Sequence, residues 1–478
     1  MLDPHDVSAL NLIGGQLVPA RSGRLLDVVE PATEEVLAQV PASDAADVDA
    51  AVTAATEAFT TYRRTTPGER AEMLLALAGA IEDNADHLAM LESRNVGKPM
   101  PVARDEVPLV VDNLRFFAGA ARSLEGRAGG EYLNGYESYV RREPIGVVAG
   151  IAPWNYPLLM AAWKFGPALA TGNCSVLKPS RQTPLTALYV AKLAKDIFPA
   201  GVFNVLSGSA ADMGDSLVSD RRIGLVSVTG DTGTGRHIAK VAADHVAKAH
   251  LELGGKAPVI VLDDADVDAV VDGILLGGFV NSGQDCTAAC RVIATPGVYD
   301  RLVEKLVPAV AGLKVGNPAE TEDLDLGPVV SAAHRQSILD VLAKTDGTIA
   351  TGGRAIPGRG YFIEPTVVLN PSQGDVIVQT EQFGPVVSVQ RAESVDQAFA
   401  WANDIDFGLA SSIWTQNLNH AARAARELDF GCVWVNDHLP VMSEMPHGGF
   451  KQSGYGKDMS VYSLEEYTRI KHVMTKSV

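Results

Sequence analysis

The chain has 478 residues, which is more than one hydrophobic core usually supports, so two or three packed units are expected. Its formal net charge of -18 argues against nucleic acids and anionic membranes as partners, because both present negative phosphates that this surface repels. Small molecules are therefore the expected partners.

The beginning of the chain has none of the marks of a targeting segment. Its first ten residues, MLDPHDVSAL, lack the basic stretch and the apolar run of a signal peptide. Nor does any uninterrupted apolar stretch approach the ~18 residues of a membrane-spanning helix. We therefore expect a cytoplasmic protein without a membrane partner.

The segment from Arg70 to Leu124 is predicted to form two or more amphipathic helices, interrupted at GKPMP. An alternating, tyrosine-rich stretch follows at 128–146 and is typical of an exposed hairpin. Together with the final segment, 456–478, this hairpin predicts an arm that leaves the body of the protein. Unpaired strand edges usually find a partner, so we expect a homo-oligomer.

From Gly146 onward, apolar β-branched runs alternate with runs of helical period. IGVVAGIA, NCSVLK, VFNVL and IGLVSV each precede such a helical run. Strands without polar alternation, each joined to the next by a helix, indicate parallel strands covered on both faces. This pattern predicts a doubly wound α/β unit, and a second α/β run extends from APVIVLDD to about Asn436.

Three motifs follow predicted strands, where α/β sheets hold their ligands. PWNYP, at 153–157, opens a helix and presents the amide of Asn155, although a Pro-bounded turn around a packed tryptophan is the simpler interpretation of this motif alone. LKPSRQTP puts Lys178 at the next strand end, either to hold a ribose or phosphate or as a solvated charge. TGDTGTG, at 229–235, fits a dinucleotide pyrophosphate only weakly, because its spacing is not GxGxxG.

Two further motifs carry candidate catalytic groups. LELGGK places Glu252 in an apolar strand, where desolvation makes a carboxylate a better general base; the alternative is an edge carboxylate in water. GQDC leaves Cys286 in a loop after an apolar helical segment, and a nucleophile and a buried small residue are equally consistent with that position. The other cysteines are at 174, 290 and 432; without CxxC spacing, neither disulfides nor a metal site is expected.

Six motifs occur together and in one order along the chain. They are Pro153-Trp154-Asn155, Lys178-Pro179-Ser180, Gly230 with Gly235, Glu252-Leu253-Gly254-Gly255-Lys256, Gly283-Gln284 with Cys286, and Glu381-Gln382-Phe383-Gly384-Pro385. In this combination the chain resembles the aldehyde dehydrogenase superfamily over essentially its full length. The segments FFAGAAR, NSGQDCTAACR, LASSIWT, SEMPHGG and SGYGKDMS are further similar to bacterial gamma-aminobutyraldehyde (4-aminobutanal) dehydrogenases.

The resemblance implies an α/β fold of the aldehyde dehydrogenase type. It predicts a doubly wound parallel-sheet nucleotide-binding domain from 1–127 and 147–252, and an α/β catalytic domain from 253–443. A β-hairpin oligomerisation arm would come from 128–146 and 456–478. The implied assembly is a homotetramer, formed as a dimer of dimers.

The resemblance also implies a chemical role for each candidate catalytic residue. Cys286 would attack the aldehyde carbon, and the Asn155 amide and the Cys286 N–H would hold the resulting alkoxide. After hydride leaves for a nicotinamide ring, a thioester remains on the sulfur. Glu252 would then activate the water that hydrolyses this thioester.

The implied cofactor is NAD, with NADP possible. Its predicted contacts are Trp154, Lys178, Ser180, Arg181, Gly230, Asp231, Gly235, Leu253, Glu381 and Phe383. Two of these depart from the family's common pattern: Arg181 stands where a ribose-binding Glu is usual, and Asp231 where a small Ser is usual. Arg181 either accepts the 2′-phosphate of NADP or pairs with Asp231 and leaves NAD as the cofactor.

For the substrate, the resemblance favours an aminoaldehyde, with 4-aminobutanal first and polyamine (putrescine) degradation as the implied context. Asp285, Glu106, Tyr156, Trp163 and His447 are the predicted substrate-binding residues, although the two carboxylates are also interpretable as solvated surface charges. Betaine aldehyde or a general aliphatic aldehyde is the alternative substrate. A catalytically idle binding or structural relative is the alternative of a different class.

Overall fold

The computed structural model describes residues 10–124 and 126–477. Residues 1–9 lie outside the described residues. They make up most of the N-terminal segment from which we predicted that the chain has no signal peptide. Within the described part, no helix is both long enough and apolar enough to cross a membrane.

The described strands vary from two to nine residues in length. In chain order they are β1 (Asn11–Ile13), β2 (Gln16–Val18), β3 (Leu25–Glu30), β4 (Glu35–Pro41), β5 (Gly130–Leu133), β6 (Tyr136–Pro144), β7 (Val147–Ile151), β8 (Cys174–Lys178), β9 (Phe203–Val205), β10 (Ile223–Thr229), β11 (Lys248–Glu252), β12 (Pro258–Val261), β13 (Arg291–Ala294), β14 (Thr348–Thr351), β15 (Thr366–Leu369), β16 (Val386–Arg391), β17 (Phe407–Gly408), β18 (Ala410–Trp414), β19 (Cys432–Val435), β20 (Phe450–Lys451), β21 (Gly454–Tyr455) and β22 (Thr468–Lys476).

The described α-helices cover both the N-terminal part and the crossovers between strands. They are α1 (Ala45–Tyr62), α2 (Pro67–Asp83), α3 (Ala85–Val96), α4 (Met100–Ala120), α5 (Pro157–Ala170), α6 (Leu185–Ala194), α7 (Ala210–Met213), α8 (Thr232–Ala243), α9 (Val267–Phe279), α10 (Pro296–Ala311), α11 (Ala332–Leu342), α12 (Val376–Gln379), α13 (Val395–Asn403), α14 (Leu418–Glu427) and α15 (Ser460–Glu466). A short 3-10 turn covers Ala121–Ser123, and an irregular turn covers Val280–Gly283.

The first large sheet has the strand order β2-β1-β9-β8-β7-β10-β11-β21. Its five central strands, from β9 to β11, are parallel, and they are apolar and buried because helices pack against the sheet. The flanking β1 and β21 run antiparallel to this centre. The carboxyl ends of β7, β8, β10 and β11 therefore meet at one edge, which is where α/β sheets bind ligands.

The second large sheet has the order β14-β15-β16-β13-β12-β18-β19. All its neighbouring strands pair in parallel except β14 and β15. Both large sheets have the strand–helix alternation expected of an α/β protein, so the predicted fold class is confirmed. The antiparallel strands at the sheet edges were not predicted, because short edge strands lack a strong apolar run.

The predicted hairpin at 128–146 corresponds to β5 and β6, which pair antiparallel. β22 adds a third strand along the whole length of β6, from Thr468 opposite Pro144 to Lys476 opposite Tyr136. This small sheet exposes large apolar side chains, namely Tyr132, Leu133, Tyr139, Ile470 and Met474. Its role in assembly, like the division of the chain into domains, stays a prediction.

Candidate active site

A cavity of about 800 Å³ lies at the carboxyl ends of the central strands of the first sheet. We call it the cofactor-side cavity, after the cofactor that the sequence resemblance implies. Its walls come from the loops that follow β7, β8, β10 and β11, together with Cys286 and the segment after α12. Among the predicted site residues, it is lined by Trp154, Asn155, Lys178, Ser180, Arg181, Gly230, Asp231, Glu252, Leu253, Cys286, Glu381 and Phe383.

A second cavity, of about 340 Å³, reaches Cys286 from a different side. We call it the aldehyde-side tunnel, after the substrate class that the sequence resemblance implies. Its lining is mostly apolar: Leu109, Tyr156, Leu159, Met160, Trp163, Leu276, Asp285, Cys286, Thr287, Leu439, Pro440, Val441 and His447. Cys286 lines both cavities, so a molecule in one can meet a molecule in the other at its sulfur.

A strained turn precedes Cys286 and fixes its loop. Asn281 and Ser282 have φ angles of 51° and 56°, and Gly283 follows with φ of 67°. Two consecutive non-glycine residues in the left-handed region are costly and persist only where surrounding contacts impose them. Asn281 Nδ2 donates to the Asn155 carbonyl at 2.9 Å, and Ser282 Oγ donates to the Gly327 carbonyl at 2.9 Å.

The double glycine after β11 allows two close approaches. A Cβ on Gly254 would lie 2.4 Å from an Oε2 oxygen of Glu381. A Cβ on Gly255 would lie 2.1 Å from the Cys286 carbonyl oxygen. Because any side chain at either position would collide, the Gly-Gly pair lets the nucleophile loop and Glu381 reach the end of β11.

The thiol of Cys286 sits among carboxylates. Burial, followed by the negative charges of Glu252 and Asp285, raises the pKa of Cys286 well above that of an ordinary thiol. A neutral thiol therefore predominates near pH 7 in the protein alone, and ionisation requires a nearby base or a positive charge.

Glu252 ends β11 and is only 1% exposed. Apart from the Cys286 thiol, no described residue hydrogen-bonds to either of its carboxylate oxygens. Its Oε1 lies 3.6 Å from Nε2 of His447, and one ligand atom each from Glu252, Cys286 and His447 lie within 4.8 Å of one another. The carboxylate is thus close to the sulfur and able to accept a proton from water between them.

Asn155 is buried in the loop between β7 and α5. Its Nδ2 donates one hydrogen bond to the Gln284 carbonyl at 3.1 Å, which turns the amide toward the Cys286 loop. An amide nitrogen carries two N–H groups, so one donor remains for a ligand. The side-chain oxygen of Gln284, Oε1, accepts a hydrogen bond from Val330 N at 2.9 Å, which holds the Cys286 loop against the segment at Val330.

Lys178 ends β8 and faces the cofactor-side cavity. Burial, and secondarily the charge of Arg181, lowers the pKa of Lys178 to about 8. Glu381 accepts a hydrogen bond from Gly255 N at 2.8 Å, and burial raises the pKa of its carboxyl to about 8. Both side chains are therefore largely removed from water in the cavity wall. A bound molecule could provide the polar contacts that water does not.

The structure does not show a pairing of Arg181 with Asp231, which was one of the two alternatives for Arg181. Asp231 is the N-cap of α8, where its carboxylate accepts from Thr234 N at 2.9 Å and Thr234 Oγ1 at 2.5 Å. The Gly-rich segment at 232–235 is accordingly the first turn of this helix. Although both residues are described, no ion pair joins them, and Arg181 is exposed at the rim of the cavity.

Aromatic side chains form one wall of the cofactor-side cavity. The ring of Trp154 contacts those of Phe383 and His334 edge-on, with centroids 5.2 Å apart in each case. A ring nitrogen of His334 lies 2.7 Å from the Phe383 carbonyl oxygen, which supports the positive φ of Phe383. His334 has no strand or glycine motif next to it, and the sequence therefore did not single it out.

Asp285 lines the aldehyde-side tunnel beside Cys286. Its Oδ1 accepts from the backbone N–H and the hydroxyl of Thr287, both at 2.7 Å. Burial, followed by the charge of Asp285 and a hydrogen bond to it, raises the pKa of Tyr156 well above its ordinary value. The carboxylate is thus fixed in place, and the tunnel also brings together the predicted Tyr156, Trp163 and His447.

Glu106 is not at the position predicted for it. It is buried in α4, pairs with the fully buried Lys98 and lines neither cavity. Its carboxylate accepts from Leu159 N at 3.2 Å, and Glu92 accepts from Leu158 N at 3.0 Å. These two carboxylates satisfy the otherwise unpaired first turn of α5, so the function of Glu106 here is structural.

Gly235 also differs from its predicted role as a direct cofactor contact. A Cβ there would lie 2.4 Å from the side chain of Leu253, so the glycine allows α8 to pack closely on the segment after β11. It does not line the cavity. Leu253 itself does line it.

The comparisons with known proteins place this arrangement in one family. The aldehyde dehydrogenase family model matches residues 17–473. An aldehyde dehydrogenase from Emericella nidulans is 41% identical over 470 residues, which is 96% of this chain and 94% of that relative. One from Aspergillus niger is 39% identical over 470 residues, again 96% of this chain and 94% of the relative.

Among solved structures, betaine aldehyde dehydrogenase from Staphylococcus aureus in complex with NAD+ is similar over 99% of this chain and 96% of that chain. The two are 36% identical, with a TM-score of 0.96. The chain therefore belongs to the aldehyde dehydrogenase family, a family of oxidoreductases that act on aldehydes. The closer resemblance to 4-aminobutanal dehydrogenases stays a prediction, because these relatives do not carry that name.

Proposed function

We propose that the protein oxidises a small aminoaldehyde, with 4-aminobutanal as the best candidate, to the corresponding acid, using NAD. The observation that carries this proposal is the Asp285 carboxylate in the aldehyde-side tunnel next to Cys286. Among the described residues that line the tunnel, there is no lysine or arginine to neutralise it. A carboxylate in a mostly apolar cavity favours a substrate whose far end is an ammonium group.

The charges behind the tunnel wall support the same preference. Lys98 lies 4.2 Å from the centre of the Tyr156 ring, but it is paired with both Glu92 and Glu106. Burial and the charge of Glu106 raise the pKa of Glu92 to about 7, so this cluster is neutral or negative around neutral pH. It adds no positive field that would oppose an ammonium ion near Asp285.

The residues present fit a nicotinamide dinucleotide in the cofactor-side cavity. The volume of about 800 Å³ lies within the range of large ligand sites. A Cβ on Gly230 would meet nothing within 4 Å, so the backbone after β10 is open to a ligand. Lys178 and Ser180 would contact the adenosine ribose, Trp154 and Gly230 the pyrophosphate, and Glu381 and Phe383 the nicotinamide end.

The first chemical step would be attack of the Cys286 sulfur on the aldehyde carbon, with the thiol proton passing to Glu252 or to water beside it. The product is a thiohemiacetal alkoxide. Two N–H groups would donate hydrogen bonds to the alkoxide oxygen: the free N–H of the Asn155 amide and the backbone N–H of Cys286. No described residue accepts a hydrogen bond from the Cys286 N–H. These contacts favour a charge that exists only after attack.

The remaining steps would oxidise and release the acyl group. When bound, the nicotinamide cofactor supplies the acceptor for the hydride of the former aldehyde carbon. Glu252 would take a proton from water, which attacks the thioester on Cys286, releases the acid and restores the thiol. The buried carboxylate suits this role because, once the sulfur of Cys286 carries the acyl group, its oxygens have no competing partner among the described residues.

Betaine aldehyde is the second candidate, and the similarity to the Staphylococcus aureus enzyme favours it. A quaternary ammonium group cannot donate hydrogen bonds and prefers several aromatic faces. The tunnel offers Tyr156 and Trp163, but aliphatic side chains form most of the rest of it. We therefore rank betaine aldehyde below 4-aminobutanal, with a general aliphatic aldehyde as the remaining alternative.

Initial-rate measurements test the proposal. NADH or NADPH formation is measured with 4-aminobutanal, betaine aldehyde and butanal, each with NAD and with NADP. We expect the highest kcat/KM with 4-aminobutanal and NAD. A higher value for butanal would reject the role of an ammonium group, and no turnover with any aldehyde would favour the catalytically idle alternative.

The assembly and location are further parts of the proposal. The exposed apolar side chains on the sheet of β5, β6 and β22 support a homo-oligomer, which we propose to be a tetramer in the cytoplasm. Light scattering coupled to gel filtration measures the subunit number. A monomer at micromolar concentration would contradict the assembly.

A further inference from the structure

Three side chains from distant parts of the sequence meet where the two cavities join. Glu252 ends β11, Cys286 follows the strained turn, and His447 lies just before β20. One ligand atom from each lies within 4.8 Å of the other two. Glu252 and His447 are 1% and 5% exposed, whereas Cys286 is half-buried and faces both cavities.

The polar atoms of this cluster are not satisfied within the protein. Among the described residues other than Cys286, none hydrogen-bonds to either carboxylate oxygen of Glu252 or to Nε2 of His447. The two side chains are 3.6 Å apart, which is too long for a hydrogen bond between them. Because buried polar atoms are nearly always paired, unpaired atoms that converge on one point indicate a ligand. The proposed oxidation uses Glu252 and Cys286 but leaves Nε2 of His447 without a role.

The spacing of the three groups suits a four-coordinate divalent cation. Zinc bonds sulfur at about 2.3 Å and nitrogen or oxygen at about 2.0–2.2 Å, which puts the ligand atoms of a tetrahedral site about 3.3–3.7 Å apart. The 3.6 Å between His447 Nε2 and Glu252 Oε1 falls in this range. Because the Cys286 sulfur lies within 4.8 Å of both other ligand atoms, a shift of at most about 1 Å, within reach of a side-chain rotation, brings it into place.

We propose that Glu252, Cys286 and His447 bind Zn²⁺ reversibly, with water as the fourth ligand, and that the bound ion excludes the aldehyde from the sulfur. A thiolate and a carboxylate balance the two charges of the ion, so the buried complex is close to neutral. One thiolate, one imidazole and one carboxylate, with an open fourth position, are a ligand set that zinc accepts. The Cys286 thiol releases its proton to solvent as the zinc–sulfur bond forms, and no electron is transferred.

The site is independent of the substrate proposed above, because its ligands are protein groups alone. It also differs from the expectation, based on cysteine spacing, that the chain has no metal site. That expectation considered ligands close together in sequence, whereas these three come from separate segments of the fold. Binding would convert the nucleophile into a metal ligand, so zinc would compete with the aldehyde.

Direct titration tests zinc binding without an assay of aldehyde oxidation. The metal-free, full-length protein is titrated with zinc sulfate by calorimetry and by competition with a chromophoric chelator. We expect one tightly bound ion per chain. His447→Phe keeps a ring beside Trp163 but removes a ligand, and should weaken binding at least about 100-fold, roughly one ligand's share of the affinity of a zinc site.

The matched control is His237→Gln, because His237 is exposed and lies 2.8 Å from a carboxylate oxygen of Asp215. This variant should bind zinc as the wild type does. Equal affinities of the wild type and His447→Phe would overturn the proposal, and so would loss of the bound ion in His237→Gln. Glu252→Gln removes a second ligand independently, so a misfolded His447 variant does not decide the outcome.

Alkylation of Cys286 by iodoacetamide gives a second measurement. Zinc at a concentration that saturates the wild type should protect Cys286, as located by peptide mass mapping. The same concentration should leave Cys286 reactive in His447→Phe, whose folding is verified by thermal unfolding. Co²⁺ should give sulfur-to-metal charge-transfer absorption that Cys286→Ser lacks. Equal protection in both proteins would mean that the thiol binds zinc without His447, which contradicts the three-ligand site.

Discussion

The two cavities that meet at Cys286 are built in different ways. The walls of the cofactor-side cavity lie at the ends of neighbouring parallel strands: Lys178 ends β8, Gly230 comes directly after β10, and Glu252 ends β11. The aldehyde-side tunnel instead collects side chains from α4, α5, α9 and two loops of the second half of the chain. In the proposed function, cofactor binding is thus a property of the sheet edge, whereas substrate preference depends on side chains that can change without altering the sheet.

The two cavities also differ in charge. The cofactor-side cavity carries basic and acidic groups together, including Lys178, Arg181, Asp231 and Glu381. Among the described residues that line the tunnel, Asp285 is the one carboxylate, and most of the others are apolar. A substitution that changes a charge in the cofactor-side cavity should therefore alter kcat/KM to a similar extent for all aldehydes. The same kind of change in the tunnel should alter kcat/KM for some aldehydes more than for others. The following substitutions test this contrast, beginning with the sulfur that both cavities share.

Cys286→Ala should lower aldehyde oxidation by at least about 10⁴-fold, because it removes the atom that forms both covalent intermediates. NAD binding, measured by calorimetry, should remain, since most of the cofactor-side wall is unchanged. Cys290→Ala is the matched control, because Cys290 lines neither cavity, and it should retain most of the activity. Comparable losses in the two variants would contradict the assignment.

Glu252→Gln should lower steady-state turnover about 10²- to 10⁴-fold, because the amide cannot accept the proton of the attacking water. The single-turnover formation of NADH should be less affected than steady turnover. Stopped-flow measurement of NADH separates the two phases. An equal decrease in both would place Glu252 at the attack of Cys286 and not at hydrolysis.

Asn155→Ala should lower kcat about 10²- to 10³-fold with little change in the affinity for NAD, because the lost donor acts on a charge formed only after attack. The loss should be similar for 4-aminobutanal and butanal, whose carbonyl groups react in the same way. A loss that appears only in KM would contradict this role of the amide.

Asp285→Asn should lower kcat/KM for 4-aminobutanal about 10- to 100-fold, mainly through KM, because a charge-assisted hydrogen bond to the ammonium group is lost. The activity on uncharged butanal serves as the control and should change little. Equal losses for both aldehydes would mean that Asp285 acts on the Cys286 loop through its contacts with Thr287 and Tyr156.

Arg181→Glu should have the smallest effect, about 2- to 10-fold, since the side chain is exposed at the rim of the cofactor-side cavity. If NAD is the natural cofactor, kcat/KM for NADP should fall further than that for NAD. A wild type that prefers NADP, together with a reversal in the variant, would identify Arg181 as a ligand of the 2′-phosphate.

The contrast between the two cavities also explains which site residues could be predicted from the sequence. Asn155, Lys178, Gly230 and Glu252 follow apolar strands of a parallel sheet, so the topology alone brings them to one edge. The short edge strands β1 and β21 have no comparable signal. The strained turn before Cys286 was also not predicted, because Asn281 and Ser282 take left-handed angles only under contacts with Asn155 and Gly327.

Long-range packing decides the remaining cases. Glu106 lies on a helix whose sequence is compatible with a tunnel-facing carboxylate, but Lys98 and the N-terminus of α5 hold it in the interior. Asp231 stands in a Gly-rich motif but is explained by local capping of α8. The approach of His447 to Glu252 depends on the relative placement of segments almost 200 residues apart, which no local pattern encodes.

The most direct test of the central claim is the intact-protein mass of Glu252→Gln after mixing with 4-aminobutanal and NAD. The thioester should accumulate, because it forms on Cys286 faster than water can hydrolyse it. We predict one added 4-aminobutanoyl group per chain, mapped to the peptide that contains Cys286 and absent when Cys286→Ala is combined with Glu252→Gln. No adduct while NADH is still formed, or an adduct on Cys290, would contradict the account.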